Sequence, residues 1–513
     1  MDLSVIFVRK KQYVRSVSIH LIAIAFAVIF DSSFGFSLRP LYALAIYLLL
    51  ITSANTKLFF YSITIALGLV AAIYAPISFL YGAPNINIVL SVAGTNTAES
   101  IEFIKAIPLT YYLHSASLVI MSIVLMANRT RLRVKNWKLP VVLALGIIAF
   151  RPVLSLAQHE QLDFDFTVAK FVGKIHSAVL KADEENRELA RLINTKSTLV
   201  PTKASSRYDT YILVVGESAR RDFMGSYGFS INNTPFMLSA NGTHFNNYVS
   251  AASSTQTSLS TSFIVDGQPQ NNIIRLAQKQ GLETWWISNQ GSHGNDDSQV
   301  SLIGKQADRQ FFLKKGEYDA VNNDDRELMP YVKDALHDSK KSKLIVIHLM
   351  GSHPDFCTRT AGHYEQFYVN DSLSCYVQSI KNTDMLLQDI AKEAGNENKK
   401  WTMIYFSDHG LSFTNPDDKK HSTLLHGDKT KQNYAVPLFI TSYNDTNKSE
   451  INAPYSAMDF LSLYLSWTGS SEKTINTSCN PLSGDQCANE DIKVLDFNHH
   501  LLQYSSLTDE PAQ

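Results

Sequence analysis

The first 156 residues alternate between long apolar stretches and short polar segments. The apolar stretches cover residues 17–30, 41–52, 58–81, 107–127 and 139–156. A helix needs about 20 apolar residues to cross a bilayer. More apolar stretches follow the first one, so it is not typical of a cleaved signal peptide. The pattern therefore predicts a transmembrane domain of five helices over residues 1–156, with a short second span.

Positive charges in the polar segments predict how these helices are oriented. Basic residues lie before the first stretch, between the second and third, and between the fourth and fifth: Arg9, Lys10, Lys11, Arg15, Lys57, Arg129, Arg131, Arg133, Lys135 and Lys138. With five spans, all of these segments fall on one side of the membrane, and the opposite segments carry only Arg39 and Lys105. Because positively charged loops stay in the cytoplasm, we expect a cytoplasmic N-terminus and a C-terminal domain outside the cytoplasm.

Residues 157–206 have the pattern of a bridge between a membrane domain and a soluble one. Apolar residues within 164–172 predict an amphipathic segment on the membrane surface, and residues 181–196 predict a charged helix. Residues 198–206, with a proline and two serines, are typical of a linker. The outer segment 82–106 is polar and acidic, and it is either a solvated connector or a lid or substrate contact at the membrane surface.

From residue 207 onward the apolar pattern is that of a soluble α/β domain. Short apolar runs rich in β-forming residues lie at 211–216, 284–288, 344–350, 402–408 and 436–442. Helical patterns such as NNIIRLAQKQG lie between them. Apolar strands separated by helices are typical of a mostly parallel sheet that is covered on both faces. The sequence therefore predicts a C-terminal α/β domain over residues 207–513.

Acidic and imidazole side chains lie at the ends of these predicted strands. They are Glu217, His353, Asp408, His409 and His426. In a parallel sheet the carboxyl ends of neighbouring strands share one edge, where functional residues gather. Each residue alone has an ordinary explanation, such as a helix cap or a surface turn. Together they favour a metal site, because carboxylate and imidazole groups are common zinc ligands.

The segment VSAASSTQTSLSTSF, residues 249–263, places several hydroxyl side chains before an apolar run. These hydroxyls are either caps at the start of a helix or include a nucleophile at that position. A helix N-terminus favours an incoming phosphate, and a metal ion lowers the pKa of a hydroxyl that it binds. The sequence contains neither a Gly-x-Ser-x-Gly elbow nor a P-loop, so hydrolase-fold and nucleotide-binding interpretations lack support.

Composition and cysteine usage narrow the possible partners and compartment. The net charge of the 513 residues is −1 and only 18% are charged, which does not suit a nucleic-acid-binding protein. All the cysteines lie in the second half, and their spacing favours two disulfides, Cys357–Cys375 and Cys479–Cys487. Such bonds indicate an oxidising compartment, in agreement with the predicted orientation. The alternative is four unpaired thiols in a cytosolic domain.

The stretch VVGESARRDFMGSYGFSINNTP resembles the signature of the bacterial phosphoethanolamine transferases, which belong to the alkaline phosphatase/sulfatase superfamily. Further segments follow in the order of that family: the Ser/Thr-rich turn, GSHPDF, CYVQSIKNTDMLL, FSDHG, LLHGD and QNYAVPLFI. The resemblance covers nearly the whole chain, including the apolar segments. It implies a five-helix transmembrane domain followed by a sulfatase-like catalytic domain.

The resemblance also implies roles for particular residues. Glu217, Thr255, Asp408 and His409 would bind one catalytic zinc, and Thr255 would be the nucleophile. Relatives often flank the nucleophile turn with cysteines and a proline, whereas the corresponding positions here are Ala251, Ser260 and Thr261. The turn is therefore expected to be held by packing, with Ser254 and Thr257 as alternative nucleophiles.

Four further residues match positions that contact the substrate in the family. His353 and His426 would contact the transferred phosphate or a second zinc. Thr95 and Glu99, in the segment GTNTAES, would help to bind the phosphoethanolamine group. An asparagine often found ahead of this segment in relatives is replaced by Ser91.

The function implied is transfer of phosphoethanolamine from phosphatidylethanolamine to a surface glycan such as lipid A or the lipopolysaccharide core. The reaction would proceed through a phospho-threonine intermediate, in a protein of the bacterial inner membrane whose catalytic domain is periplasmic. Alternatives are a phosphoglycerol transferase, a membrane-anchored sulfatase or phosphodiesterase of the same superfamily, or an inactive binding protein. The Cys/Ser-x-Pro-x-Arg context of a sulfatase nucleophile is absent from the sequence.

Overall fold

The structure is a computed structural model that describes residues 3–94, 97–159, 164–291, 298–314, 324–338, 342–397, 400–487 and 491–513. The chain divides into two compact units. The helical unit comprises Met1–Val89 and Ile107–Lys181, and the α/β unit comprises Leu90–Ala106 and Ala182–Gln513. These limits differ from the predicted boundaries at residues 156 and 206, because residues 90–106 and the later part of the bridge belong to the α/β unit.

Five of the described N-terminal helices overlap the five predicted apolar stretches. The helices up to residue 193 are α1 Leu3–Ser32, α2 Pro40–Ser53, α3 Lys57–Tyr81, α4 Ile86–Gly94, α5 Thr97–Ala106, α6 Leu109–Ala127, α7 Lys138–His159 and α8 Thr167–Ile193. Among the described residues, four segments are long and apolar enough to cross a membrane: Gln12–Ser32, Lys57–Tyr81, Leu109–Ala127 and Lys138–Ala157. Helix α2 has 14 residues and is only about 21 Å long, less than the thickness of a bilayer core.

The helical unit has an aromatic core and an apolar exterior. Phe34 contacts Tyr74 and Phe171, with ring centroids 6.1 and 4.5 Å apart, respectively. On the exterior, Leu113 and Val142 are 63% and 65% exposed. Apolar side chains on such a surface suit contact with lipid, as the sequence predicts for a transmembrane domain.

The structure adds detail to three predictions for residues 82–106 and 157–206. The predicted amphipathic segment and the charged helix are largely one continuous helix, α8, because no proline interrupts a run of good helix formers. The predicted linker 198–206 is bonded to the α/β unit: the amides of Thr202 and Ser205 donate to Ser471 O and Thr468 O, at 2.9 and 2.8 Å. The predicted connector 82–106 contains helices α4 and α5.

The α/β unit is built on an eight-stranded sheet. The strands of this unit are β1 Thr210–Gly216, β2 Gly242–Phe245, β3 Tyr248–Val249, β4 Ile264–Val265, β5 Gln268–Asn272, β6 Glu283–Ser288, β7 Arg309–Phe312, β8 Lys343–His348, β9 Trp401–Ser407, β10 Ser412–Phe413, β11 Leu424–Leu425, β12 Leu438–Ser442, β13 Lys448–Ile451, β14 Tyr455–Ser456, β15 Lys493–Leu495 and β16 Leu501–Gln503. The strand order in the eight-stranded sheet is β13-β2-β12-β9-β1-β8-β6-β7. Strands β9, β1, β8, β6 and β7 are mutually parallel, and β12 is antiparallel to its neighbours β9 and β2. The prediction of a mostly parallel sheet is confirmed.

Helices cover both faces of this sheet. The remaining helices are α9 Pro235–Ser239, α10 Thr255–Phe263, α11 Ile273–Lys279, α12 Gln299–Gly304, α13 Met329–His337, α14 Phe356–Arg359, α15 Asp371–Asn396 and α16 Phe460–Thr468. Side chains of β1 alternate between two cores: Tyr211, Leu213 and Val215 belong to one, and Ile212 and Val214 to the other. All five are fully buried, which is why this strand reads as a continuous apolar run.

A buried arginine of the GESARR segment binds the C-terminal residues to the loops that follow β1 and β9. Arg220 is fully buried and makes a two-pronged ion pair with Asp222, with Nε–Oδ1 and Nη2–Oδ2 distances of 2.9 and 2.6 Å. Its guanidinium also donates to Glu510 O and Leu411 O, at 2.8 and 3.3 Å. Only a planar guanidinium can satisfy these acceptors together.

Replacing Arg220 by lysine is expected to lower the free energy of unfolding by about 2–4 kcal/mol, because several charge-assisted hydrogen bonds are lost without loss of charge. Chemical denaturation of the full-length protein in detergent measures this change. Arg187→Lys is the matched control: Arg187 is 80% exposed in an ion pair with Asp183, and its replacement should cost less than about 0.5 kcal/mol. Equal effects of the two substitutions would contradict the role given to Arg220.

Candidate active site

Three adjacent strands carry the predicted site residues to one edge of the sheet. Strand β1 lies between β9 and β8, and Gly216 is in register with Ser407. Glu217 and Asp408 directly follow these paired residues, so the register alone makes them neighbours. His353 lies in the loop after β8.

The hydroxyl of Thr255 lies within this group, at the first residue of α10. Thr255 Oγ1 donates to Glu217 Oε2 at 2.8 Å and lies 3.3 Å from His409 Nε2. His409 Nε2 is in turn 3.2 Å from Glu217 Oε1 and 3.6 Å from Asp408 Oδ2. The structure thus brings together the four residues that the resemblance assigns to one metal site.

The other predicted substrate-binding residues are only partly described. The rings of His409 and His426 have centroids 4.7 Å apart, and the centroid of His353 is 6.1 Å from that of His426. Thr95 lies outside the described residues, and for Glu99 the structure describes only its backbone position in α5. The structure therefore places both histidines beside the acidic cluster and leaves the GTNTAES residues as predictions.

His426 also offers a ligand atom to the metal site. One ligand atom from each of Glu217, His409 and His426 lies within 4.8 Å of the others, close enough to hold one ion. This geometry agrees with the strand-end pattern, which predicts His426 as part of a metal site, whereas the family resemblance assigns it to the phosphate or a second zinc.

Burial and mutual charge shift the pKa values of the clustered groups strongly. Burial raises the pKa of Asp408 to about 8, assisted by the negative charge of Glu217. Burial lowers the pKa of His409, but the charges of Asp408 and Glu217 outweigh it and raise the pKa to about 9. Burial raises the pKa of Glu217, but the charge of His409 holds it well below its usual value. One carboxylate and one imidazolium therefore coexist readily in this site, which resists ionisation of the second carboxyl group, that of Asp408, without a further positive charge.

A divalent cation fits this arrangement. Asp408 Oδ2 is buried and has no hydrogen-bond partner among the described residues. A buried carboxylate oxygen without a partner is costly, and metal coordination relieves that cost. Carboxylate oxygen, imidazole nitrogen and a hydroxyl form a donor set that zinc accepts.

Hydrogen bonds to backbone atoms hold residues 251–258 in a way that the sequence does not reveal. The amide of Leu495, in β15, donates to Ala251 O at 2.9 Å, and the Tyr434 hydroxyl donates to Leu495 O at 3.2 Å. The Ser258 hydroxyl donates to Asp408 O at 2.6 Å, which joins α10 to the loop after β9. These bonds hold the turn although Ala251 stands where relatives often have a cysteine.

Gln290 is a residue of this site that the sequence analysis missed. Its Nε2 donates to Glu217 Oε2 at 3.1 Å and to Leu349 O at 3.0 Å. Gln290 follows the buried strand β6, so the rule that identified Glu217 could also have identified it. Ser218, whose hydroxyl donates to Glu217 Oε1 at 2.6 Å, was overlooked as well.

Comparison with known proteins agrees with this site. Residues 209–470 match the Sulfatase family. Phosphoethanolamine transferase OpgE of Escherichia coli (strain K12) is 35% identical over 450 residues, which are 84% of this chain and 85% of the relative. The chain belongs to the phosphoethanolamine transferase family. The predictions of family, fold class and enzyme class are therefore confirmed.

Solved structures related to this phosphoethanolamine transferase show the same fold. The lipooligosaccharide phosphoethanolamine transferase A (EptA) of Neisseria meningitidis, an integral membrane protein, is 17% identical with a TM-score of 0.56. The similarity covers 89% of this chain and 96% of that protein. The C-terminal periplasmic domain of EptC from Escherichia coli, solved in complex with Zn, is 19% identical with a TM-score of 0.54 and covers 61% of this chain and 98% of that domain.

Proposed function

We propose that this transferase moves phosphoethanolamine from phosphatidylethanolamine to a glycan through a covalent intermediate on Thr255. The observation that carries this proposal is the 2.8 Å hydrogen bond from the Thr255 hydroxyl to buried Glu217, beside His409. A threonine hydroxyl is a weak nucleophile unless its surroundings draw off its proton. Here the buried carboxylate of Glu217 accepts the hydrogen bond of the hydroxyl, and Thr255 lies at the first residue of a helix.

Zinc is the cofactor that the site suits best. Glu217, Thr255, Asp408 and His409 would hold it, with His426 near enough to contribute. The related EptC domain was solved in complex with Zn. Bound there, the ion would lower the pKa of the Thr255 hydroxyl so that its proton leaves more readily. We propose one catalytic zinc, and His353 would contact either the phosphate or a second zinc.

The residues of the chain then account for two displacement steps. The Thr255 oxygen attacks the phosphorus of phosphatidylethanolamine, and the bond from phosphorus to the diacylglycerol oxygen breaks. Diacylglycerol leaves with a proton, and phosphoethanolamine remains esterified to Thr255. An acceptor hydroxyl next attacks the same phosphorus, and its proton returns to the released Thr255. His353 and His426 would contact the phosphate oxygens and donate hydrogen bonds to them in both steps.

We propose the bacterial inner membrane as the location, with the N-terminus in the cytoplasm and the catalytic unit in the periplasm. The asymmetric basic segments support this orientation, which requires the short apolar helix α2 to cross the membrane together with the four longer helices. Cys357 is bonded to Cys375 and Cys479 to Cys487, the pairing that the spacing predicts. Such bonds persist in an oxidising compartment. Within this scheme residues 1–156, 157–206 and 207–513 remain the proposed membrane, bridging and catalytic domains, and Thr95 and Glu99 remain proposed contacts to the donor headgroup.

We propose that the acceptor is a surface glycan, of the lipid A or lipopolysaccharide-core type. Mass spectrometry of envelope glycolipids and soluble periplasmic glycans, from cells with and without the protein, tests donor group and acceptor together. A gain of one phosphoethanolamine unit on a glycan only in cells with the protein is expected. A glycerol phosphate unit in its place would contradict the proposed donor.

Replacing Gln290 by alanine is expected to weaken zinc binding by about 10–100-fold, because Glu217 loses a donor that orients it. Zinc titration of the full-length protein against a competing chelator measures the affinity directly. Gln388→Ala is the control, because Gln388 is exposed on α15, away from this cluster. Equal zinc affinity in the two variants would show that Gln290 does not orient a metal ligand.

A further inference from the structure

A polar cavity of the α/β unit lies beside the loop that follows β8. Its volume is about 290 Å³, near the lower end of the range for small-molecule sites. The walls come from the segment before α13, the loop after β8, helix α14 and helix α15. Hydroxyl and amide side chains line much of it, among them Thr360, Ser379 and Asn382.

Two buried polar atoms of this wall have no hydrogen-bond partner among the described residues. They are Arg359 Nε and Thr360 Oγ1. The Arg359 side chain is only 5% exposed, and its Nη2 is paired with Glu102 at 2.8 Å. Most buried polar atoms in native proteins have a hydrogen-bond partner in the protein or in ordered water. The wall therefore offers a donor and a hydroxyl to an occupant of the cavity.

The charges around the cavity favour a neutral occupant over an anion. Arg326 and Arg359 are balanced in the wall by Asp324 and Asp325. The charge of Arg359 is further compensated by its ion pair with Glu102. A phosphate site needs an excess of positive charge, whereas a sugar ring needs alternating donors and acceptors.

The cavity adjoins the catalytic cluster through the loop Met350–His353. Gly351 adopts φ = 48°, and a Cβ on it would lie 2.9 Å from the amide nitrogen of Glu217. The amide of Ser352 donates to Glu217 O at 2.9 Å, and the Ser379 hydroxyl donates to Ser352 Oγ at 2.8 Å. The floor of the cavity is thus the same loop that supports Glu217 and precedes His353.

We propose that this cavity holds a neutral sugar ring of the glycan that accepts phosphoethanolamine. The proposal rests on the proposed function, because it assigns a place to the acceptor of that reaction. It identifies Arg359, Thr360 and Asn382 as acceptor-binding residues. A ring held there would have its hydroxyl groups next to the loop that carries His353.

Two variants of the cavity test this assignment in the full-length protein. Asn382→Trp fills the cavity from a helix, and Thr360→Val removes one hydroxyl at nearly constant volume. Both are assayed with phosphatidylethanolamine and with envelope glycans extracted from cells that lack the protein. The measured quantity is the steady-state rate of glycan modification, at a fixed glycan concentration below saturation, divided by the rate of diacylglycerol release in the first turnover, which does not need glycan. We expect this ratio to fall at least about tenfold for Asn382→Trp and about 3–10-fold for Thr360→Val.

The ratio separates acceptor binding from general damage, since misfolding lowers both products in parallel. Thr360→Ser keeps the hydroxyl and should restore the ratio, and Gln388→Trp on the exposed side of α15 should not change it. Unchanged ratios in both cavity variants would overturn the proposal. Inorganic phosphate that inhibits the wild type but not Asn382→Trp would also overturn it, by making the cavity an anion site. If the wild type releases no diacylglycerol, the proposed function fails and this assignment falls with it.

Discussion

Thr255→Ala is expected to abolish phosphoethanolamine transfer, with a loss of at least about 10⁴-fold, while the fold remains intact. The loss is large because the substitution removes the atom that forms the covalent bond to phosphorus. Thr255 begins α10, and the following turn is held by the Ser258–Asp408 hydrogen bond, which the substitution does not touch. Both diacylglycerol release and glycan modification should disappear together.

Neighbouring hydroxyls provide matched controls for this experiment. Ser254→Ala and Thr257→Ala change the alternative nucleophiles in the same segment, and both should retain most of the activity. Thr255→Ser keeps a hydroxyl at the same place and should retain measurable transfer. If Thr257→Ala were inactive and Thr255→Ala active, the nucleophile would be Thr257, two residues after the proposed one.

Asp408→Asn is expected to remove zinc from the purified protein and to lower transfer by about 10³-fold. The two side chains have the same shape, and Asp408 Oδ1 accepts from the amides of Ser218 and His409, at 3.2 and 2.8 Å. An asparagine oxygen can keep those bonds, so its NH₂ group would occupy the Oδ2 position. A donor in that position cannot bind a cation, and several kcal/mol of metal-derived stabilisation would be lost.

Zinc content by elemental analysis is the primary measurement for Asp408→Asn, and unfolding temperature is an independent one. In zinc-free protein the substitution should raise the unfolding temperature, because burial and the charge of Glu217 make an ionised Asp408 unfavourable there. In the presence of zinc the order should reverse, since only the wild type gains from binding the ion. A variant with full zinc content and low activity would contradict the assignment of Asp408 as a ligand.

Much of the fold follows from local pattern. The five predicted strands are β1, β6, β8, β9 and β12, which are buried and apolar. Within the eight-stranded sheet, the missed strands β2, β7 and β13 have only four residues each and include polar side chains such as those of KSEI. Their pairing depends on neighbours distant in the chain, which no local pattern records.

The site shows the same limit. Glu217, Asp408 and His409 were predicted from strand ends together with a family resemblance, and the structure places them together. Gln290 also lies at the end of a strand, but its amide side chain is neither acidic nor an imidazole, the groups that indicate a metal site. The contact of Leu495 with Ala251 joins residues 244 positions apart, as the numbering shows, and no periodicity could indicate it.

Trapping the phosphoethanolamine–threonine intermediate is the most direct test of the central claim that buried Glu217 and its neighbours activate Thr255. Full-length protein is mixed with phosphatidylethanolamine without glycan, quenched in acid, digested and sequenced by tandem mass spectrometry. The account predicts a phosphoethanolamine ester on Thr255, present in the wild type and absent from Asp408→Asn. An ester on Ser254, Thr257 or any other residue would contradict it, and so would the absence of any ester from protein that transfers phosphoethanolamine when glycan is added.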